Sequence, residues 1–464
     1  MGSCGGGGAG GGCQSECFRD REGDEEDSLR TEDLKRCSGS CSGDQSPAND
    51  GRGLCNKCRE IAAVYNNLCG ACFRFSLYGK FKVAVTSNGM ISPTDKVLVA
   101  LSGGPASRIA LEFAHEMQLK AQKSWDASKD QALPVFGVGA AFIDESIPLR
   151  PSEVVQKAIE EMRFRVSQLT PPPKVFHVAS IGSLLSADTK DGTGLNALLE
   201  TISDATGKED LLSYLRMLSL QKIALDNGYS KLVLGSCTTT IACHILSATV
   251  KGQGYSLPAD IQYVDARWEI PVVLPLRSCL AEELSMLCHL DGHEIHQVFD
   301  QPCSGINNLV SSFIARVQEE NPSRARTILR TAEKLRPFHF NRLSENLSYE
   351  MLPSRVRRKL QTAANAEFTP SELLCPICGG PLTESDVTRL KSTVSKSSRR
   401  HEAFAAHCCQ SCCSQILPKE LPSLEHFYSL LPVAMRGRVK DAASPGNHWL
   451  RDQIEDCLLS SDED

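Results

Sequence analysis

The chain has 464 residues, 41% of them hydrophobic, with a formal net charge of -6 and 21 cysteines. That length accommodates one large domain with appended modules or two domains, and the hydrophobic content supports a folded core. The negative balance excludes simple whole-molecule attraction to nucleic acid, so any such contact has to come from a local basic patch. Residues 1–12 are glycine-rich without the apolar run of a signal peptide, and no stretch approaches the length of a membrane span. A cytoplasmic protein that makes no membrane contact is expected, with its cysteines as reduced thiols or metal ligands rather than disulfides.

Residues 1–50 are rich in Gly, Ser and acids and cannot bury enough apolar surface to offset ordering entropy, so a disordered tail is expected there. A Cys-rich module follows at 51–82. Over 83–300 short apolar runs alternate with helical stretches. Residues 96–101 (KVLVAL) read as a buried strand, and 107–119 as a helix with Ile109, Ala110, Phe113, Ala114 and Met117 on one face. Further strands are predicted at 135–144, 174–179, 231–234 and 272–276, and helices at 151–168, 211–227, 241–247 and 281–290. The stretch 170–210, with Pro171-Pro172-Pro173, Gly192 and Gly194, reads as loops or an insertion. Strand and helix alternating at this spacing predict an α/β fold, a parallel sheet with helices on both faces. Residues 301–367 read as a basic helical segment that opens on the amphipathic stripe Ile306, Leu309, Val310, Phe313, Ile314 and Val317. A second Cys module occupies 368–420, and 421–464 reads as a tail.

The segment after the first strand carries chemistry. Ser102-Gly103-Gly104-Pro105-Ala106-Ser107 links strand to helix, and two glycines there allow a close backbone approach to phosphate at a helix N-terminus. Cys237 stands where a later helix begins, a position that activates thiolates, and is a candidate nucleophile; a small buried hydrophobe is the competing reading.

Cys55-X2-Cys58 and Cys69-X2-Cys72 form two thiolate pairs, each able to grip one side of a tetrahedral ion, which predicts a closed structural zinc site. Cys375-Pro376-Ile377-Cys378-Gly379 resembles a zinc-ribbon knuckle. Cys409 and Cys412 give the matching second pair, with Cys408, Cys413 or His407 as substitutes. Basic residues outnumber acidic ones over 316–360, and Arg355, Arg357, Arg358 and Lys359 are candidate contacts for nucleic-acid phosphate against the plainer reading of a solvated helix face.

The 102–107 loop resembles the PP-loop of the ATP-pyrophosphatase superfamily, Ser-Gly-Gly-X-Asp-Ser, whose enzymes adenylate a substrate oxygen. Ser102, Gly103, Gly104 and Ser107 match. Pro105 stands where tRNA-thiolating members usually have Lys, and Ala106 where they have Asp. The family's Cys-X-X-Cys falls on Tyr214-Leu215-Arg216-Met217, ahead of Gln221-Lys222-Ile223-Ala224-Leu225-Asp226, and neither cysteine is present. Its Gly-His-Asn-X-Asp-Asp-X-Ala falls on Gly235-Ser236-Cys237-Thr238-Thr239-Thr240-Ile241-Ala242, where both acids have become threonine. Its Arg-Pro-Leu with a downstream Glu looks like Leu274-Pro275-Leu276-Arg277 and Glu283.

The chain is thus similar to the cytoplasmic tRNA 2-thiolation protein 2 family, a degenerate PP-loop branch. The resemblance implies a PP-loop/HUP-like α/β domain flanked by zinc modules, with Ser102, Gly103, Gly104, Ser107 and Gly235 forming a nucleotide cradle. It further implies a heterodimer with a catalytic thiolase paralogue. Sulfur would pass from a thiocarboxylated ubiquitin-like carrier to the wobble uridine, U34, of tRNA Lys, Glu and Gln. The lost charges count against ATP binding and against catalysis by this chain; an active ATP-dependent thiolase with a modified loop is the alternative.

Overall fold

The computed structural model describes residues 53–128, 134–145, 152–185, 193–292, 305–335, 373–394 and 399–443. The expected tail at 1–50 and the candidates Arg355, Arg357, Arg358 and Lys359 lie outside the described residues. Contacts divide the chain into two units, Met1–Ala71 and Cys72–Asp464. In the first, Leu54 and Ala62 form a bridge around the Cys55–Cys58 knuckle. Asn66 and Asn67, both left-handed at φ 48 and 58, make the tight turn that pairs Tyr65 with Leu68.

The second unit is built on a six-stranded sheet: β1 (Lys96–Leu101), β2 (Gly137–Asp144), β3 (Phe176–Ser180), β4 (Lys231–Val233), β5 (Val264–Asp265) and β6 (Val272–Val273). The spatial order is β3-β2-β1-β4-β6-β5, parallel throughout except for the antiparallel edge strand β5. The helices are α1 (Gly70–Ser87), α2 (Pro105–Ala127), α3 (Ser152–Gln168), α4 (Thr193–Glu200), α5 (Ala205–Asp226), α6 (Thr238–Val250), α7 (Leu257–Asp260), α8 (Ala281–Leu290), α9 (Ile306–Glu320) and α10 (Arg324–Ala332). The C-terminal ones are α11 (Glu384–Val394), α12 (Arg400–Ala406), α13 (Gln410–Gln415), α14 (Leu421–Leu430) and α15 (Val433–Ala443). Among the described residues no helix is long and apolar enough to cross a membrane.

Both sheet faces are covered, which is why β2 is a continuous apolar run rather than an alternating one. Phe142 faces α3 through Val155 and Ile159, whereas Ala141 and Ile143 join Leu211 and Leu215 of α5 on the other side. On α2, Phe113 packs edge-on against Tyr78 and Phe81 of α1.

Two expectations are corrected. Beyond the strand predicted at 174–179, which is β3, the stretch expected as loops or an insertion over 170–210 contains α4 and the start of α5, because Leu195, Leu198, Leu199 and Ile202 are buried in the main core. The expected tail holds α14 and α15, anchored by Leu424, Phe427, Leu431 and Met435 at helical spacing. The second Cys module is likewise continuous with the main core: Ile377, Leu382, Phe404 and Ile416 share one cluster with Leu98, Leu215 and Leu218.

At the join, Gly207 of α5 faces the backbone carbonyl of Gln415, with no room for a Cβ. Replacing Gly207 with Ala is expected to lower stability by about 1–3 kcal/mol through overpacking against backbone that cannot give. Denaturant unfolding of the full chain checks this; unchanged stability would mean the module is not seated on α5.

Candidate functional site

The strand order reverses between β1 and β4, and ligands of open α/β sheets sit outside the carboxyl ends of strands at such a switch point. Here the loops leaving β1 and β4 meet. Gly103 is left-handed at φ 85, Gly104 is extended as the cap of α2, and Pro105 enters the first turn, where its missing N–H is not needed. The Ser102 N–H donates to Ser107 Oγ at 3.2 Å, and that hydroxyl donates to the Gly104 carbonyl at 3.0 Å. From the β4 side Gly235 presses on the loop: a Cβ there would stand 2.6 Å from Ser107 N and 2.7 Å from the Ala106 carbonyl carbon. The structure thus brings Ser102, Gly103, Gly104, Ser107 and Gly235 together.

A cavity of about 990 Å³ opens beside this contact. Its walls include Pro105, Ala106, Tyr214, Met217, Cys237 and Thr240, together with Cys378 and Cys409 of the C-terminal module. Its charged side chains are paired, Asp386 with Arg389 at 3.0 Å and the others among themselves. Glu145 is bound by Arg216, Nη2 to Oε2 at 2.8 Å. Asp260 accepts from Ser256 Oγ at 2.7 Å, lies 3.0 Å from His244 Nε2, and pairs with Arg267. Arg267 also reaches Asp265, Nε to Oδ1 at 2.9 Å. Burial alone would raise the Asp260 carboxyl, but Arg267 and His244 outweigh it and hold the group well below the usual carboxylate range. No lysine is among the described lining residues.

The sequence left the Asp260–Arg267–Asp265 network and Trp268 unmarked. Asp260 ends a one-turn helix, Asp265 ends a two-residue strand and Arg267 and Trp268 follow it, with no fixed spacing to betray them.

Positions aligned with the family's chemical groups do other work here. Thr239 Oγ1 accepts from the Ala281 N–H at 3.2 Å and from Gln318 Nε2 at 3.3 Å, and Thr240 Oγ1 lies 3.3 Å from Cys237 Sγ. Tyr214 is held neutral, burial raising its hydroxyl well above the ordinary value. Glu283 caps α8 by accepting from the Leu280 N–H at 2.8 Å, and binds Lys80 at 2.9 Å and Arg326 at 3.1 Å. Cys237 does begin α6 but is 1% exposed, its Sγ 3.3 Å from Thr240 Oγ1. Burial pushes Cys279 and Cys288 up to about 12, which makes them inert core thiols.

Two four-cysteine groups, Cys55, Cys58, Cys69, Cys72 and Cys375, Cys378, Cys409, Cys412, each gather their sulfurs within 4.8 Å of one another. The Cys58–Cys69 and Cys378–Cys409 separations are 3.8 Å. Zinc–sulfur bonds of about 2.3 Å in a tetrahedron give sulfur–sulfur edges of about 3.8 Å, so both groups fit such an ion. The residue after the second cysteine of each knuckle is left-handed, Arg59 at φ 59 and Gly379 at φ 66. The Gly380 and Cys412 N–H groups point at Cys378 and Cys409 Sγ, at 3.4 and 3.5 Å. The substitutes are engaged elsewhere. Cys408 Sγ donates to the Phe404 carbonyl at 3.4 Å, Cys413 Sγ lies 3.4 Å from Arg389 Nη1, and His407 Nδ1 bonds the Ala403 carbonyl at 2.7 Å.

The site thus combines a mostly parallel α/β sheet, a glycine loop at its switch point and two tetracysteine groups able to hold a metal ion. The family model described as Cytoplasmic tRNA 2-thiolation protein 2 matches residues 305–421. A protein of that name from Oryza sativa subsp. japonica is 54% identical over 417 residues, covering 88% of this chain and 90% of its own. Another from Arabidopsis thaliana is 46% identical over 469 residues, covering 98% of each. The chain belongs to the cytoplasmic tRNA 2-thiolation protein 2 family. Among solved structures, the U34-tRNA thiolase NcsA from Methanococcus maripaludis with its [4Fe-4S] cluster aligns at 16% identity with a TM-score of 0.44, covering 61% of this chain and 86% of that one.

Elemental analysis of the purified chain is expected to find two metal equivalents. Cys412→Ser should lose one of them and melt earlier, because its module shares the main core, whereas Cys408→Ser and Cys413→Ser should retain both. Asp260 supplies a second check. Its depressed carboxyl adds stability at neutral pH that is lost as pH falls below about 4. Asp260→Asn should therefore be less stable than the parent at pH 7 in urea unfolding, with the gap closing under acid conditions; a gap independent of pH would contradict the assignment.

Proposed function

We propose that this chain is a cytoplasmic, non-catalytic subunit of the machinery that 2-thiolates the wobble uridine, U34, of tRNA Lys, Glu and Gln. It acts beside a catalytic thiolase paralogue that receives sulfur from a thiocarboxylated ubiquitin-like carrier. The observation that carries the reading is the neutral cradle. The backbone of the nucleotide loop is kept, while Pro105, Ala106, Tyr214 and Met217 line the cavity where an adenylating thiolase needs cations, a metal-binding carboxylate and thiols. The charges on the wall, Glu145 with Arg216 and Asp260 with Arg267, are committed to each other.

Zinc is the metal proposed for the two tetracysteine groups. With four protein thiolates each, such sites have no open position, so the metal fastens local folds and takes no part in the reaction. Within the subunit the cradle and cavity serve as scaffold, and Cys237 is a packing residue. The basic segment that includes Arg355, Arg357, Arg358 and Lys359 is proposed to help hold tRNA through sequence-independent phosphate contacts.

Cells lacking the chain are expected to lose 2-thiouridine at U34, read by mass spectrometry of digested tRNA. Restoring the wild-type chain or Cys237→Ser should return it fully. ATP hydrolysis or substrate adenylation by the isolated chain, or failure of a folded Cys237→Ser variant to rescue, would overturn the non-catalytic assignment. Intact thiolation in the deleted cells would overturn the function.

A further inference from the structure

Helices α9 and α10 lie against α6, with Ile314 and Ala325 meeting Ala242 and Leu280. On α10 the inward positions are Ala325, Leu329 and Ala332, all buried. That periodicity turns Arg324, Thr327, Arg330 and Thr331 outward, and Lys334 follows just past the helix end; all five are exposed. The other ionic groups of this helix pair off. Arg326 holds Glu283 at 3.1 Å, and Glu333 is bound by Arg277 at 2.7 Å. Among the described residues no carboxylate pairs with Arg324, Arg330 or Lys334. Three unneutralised cations therefore share one rigid face of a protein whose formal net charge is -6.

The kind of partner follows from what the face contains and what it lacks. At 1.5 Å of rise per residue, Arg324 to Lys334 spans about 15 Å, long enough to face several backbone phosphates. No apolar residue stands among the outward positions within α10, and the exposed Leu335 lies past its end, so the helix face itself offers no central aromatic or aliphatic anchor of the kind a protein partner needs. Phosphate contacts need only well-placed cations. The placement also suits the site: α10 packs on α6, and the first turn of α6, at Cys237 and Thr240, lines the cavity beside the cradle.

We infer that Arg324, Arg330 and Lys334 form a docking stripe for the phosphate backbone of tRNA. The inference rests on the tRNA-thiolation reading above and gives it a surface. It uses residues other than the 355–359 cluster.

The test measures anisotropy of labelled tRNA on the full-length chain purified with its co-expressed thiolase partner, across roughly 50 to 200 mM salt. R324E/R330E/K334E is compared with K123E/K157E/K222E, which moves the net charge equally at exposed lysines elsewhere. The stripe variant is expected to bind about 10-fold or more weakly, and its log-affinity against log-salt slope should fall by about 2–3. The control should change by less than about 3-fold. Melting temperatures of both should match the parent, since every altered side chain is exposed. Equal losses in both variants would reduce the effect to net charge, and no loss in the stripe variant would make the face merely solvated. Unchanged tRNA affinity with loss of the co-purified partner would make it a protein interface; each of these outcomes overturns the proposal. The functional reading fails on a different measurement, U34 thiolation in cells lacking the chain, so the two failures are distinguishable.

Discussion

The parallel pairing of β1 with β4, Val97 opposite Lys231 through Val99 opposite Val233, sets two loops side by side, and everything at the site depends on how closely they touch. Gly235 meets the backbone at Ala106 and Ser107 with no side chain between them. Gly103 supplies the left-handed turn, Pro105 pre-sets the first helical residue, and the Ser102 and Ser107 groups bond within the loop itself. None of these constraints needs a charge. The cradle can therefore keep its shape while the lysine and aspartate positions drift to proline and alanine. In a protein that still handled triphosphate, those would be the last positions free to change.

The cavity wall carries the same division further. An ionised Asp260 facing an empty cleft would be costly, and so would an isolated Arg267. The structure has both, together with Asp265, Ser256 and His244, in one mutually satisfied network. Removing either partner would strand a poorly solvated charge, so these groups are fixed in place by one another and are not available to meet a ligand's developing charge. The stripe on α10 is the reverse case. Among the described residues no carboxylate pairs with Arg324, Arg330 or Lys334, and all three are exposed, the arrangement expected of groups whose partner arrives from outside.

The two tetracysteine groups look alike locally, each a knuckle with a left-handed residue after its second cysteine and a second pair at a helix start. They differ in what they hold. The N-terminal knuckle is closed by a short bridge and a tight Asn66-Asn67 turn with few apolar residues of its own, so metal binding there is local folding free energy. The C-terminal group is seated in the main core through Ile377, Phe404, Ile416 and Phe427, each worth about 1.5–3 kcal/mol of burial. Cys378 and Cys409 also form part of the cavity wall. The C-terminal group is thus tied to both the main core and the cavity, so disturbing its fold would disturb the cavity wall as well.

What could be read from the sequence was what is encoded locally. β1 and α8 occupy the residues their hydrophobic patterns specify, Lys96–Leu101 and Ala281–Leu290, because a buried strand and a capped amphipathic helix each write their signal within ten residues. Cysteine spacing announced both knuckles for the same reason. The sequence did not disclose that Cys408 and Cys413 are engaged by the Phe404 carbonyl and Arg389, since choosing among adjacent cysteines depends on which way α12 and α13 face. Nor did it reveal that 421–443 is helical. Leu424, Phe427, Leu431 and Met435 form a stripe only once a core exists to receive it, and part of that core is contributed by α4, far earlier in the chain. Asp260 and Arg267 are the extreme case. Seven residues apart, one at the end of a one-turn helix and the other in a loop after β5, they are legible only as a pair, and the pair exists only once α7 and the loop after β5 fold against each other. The functional reading therefore rests on a contrast that needs both sources. The sequence shows which charges are missing, and the structure shows that those remaining in the cleft are already taken.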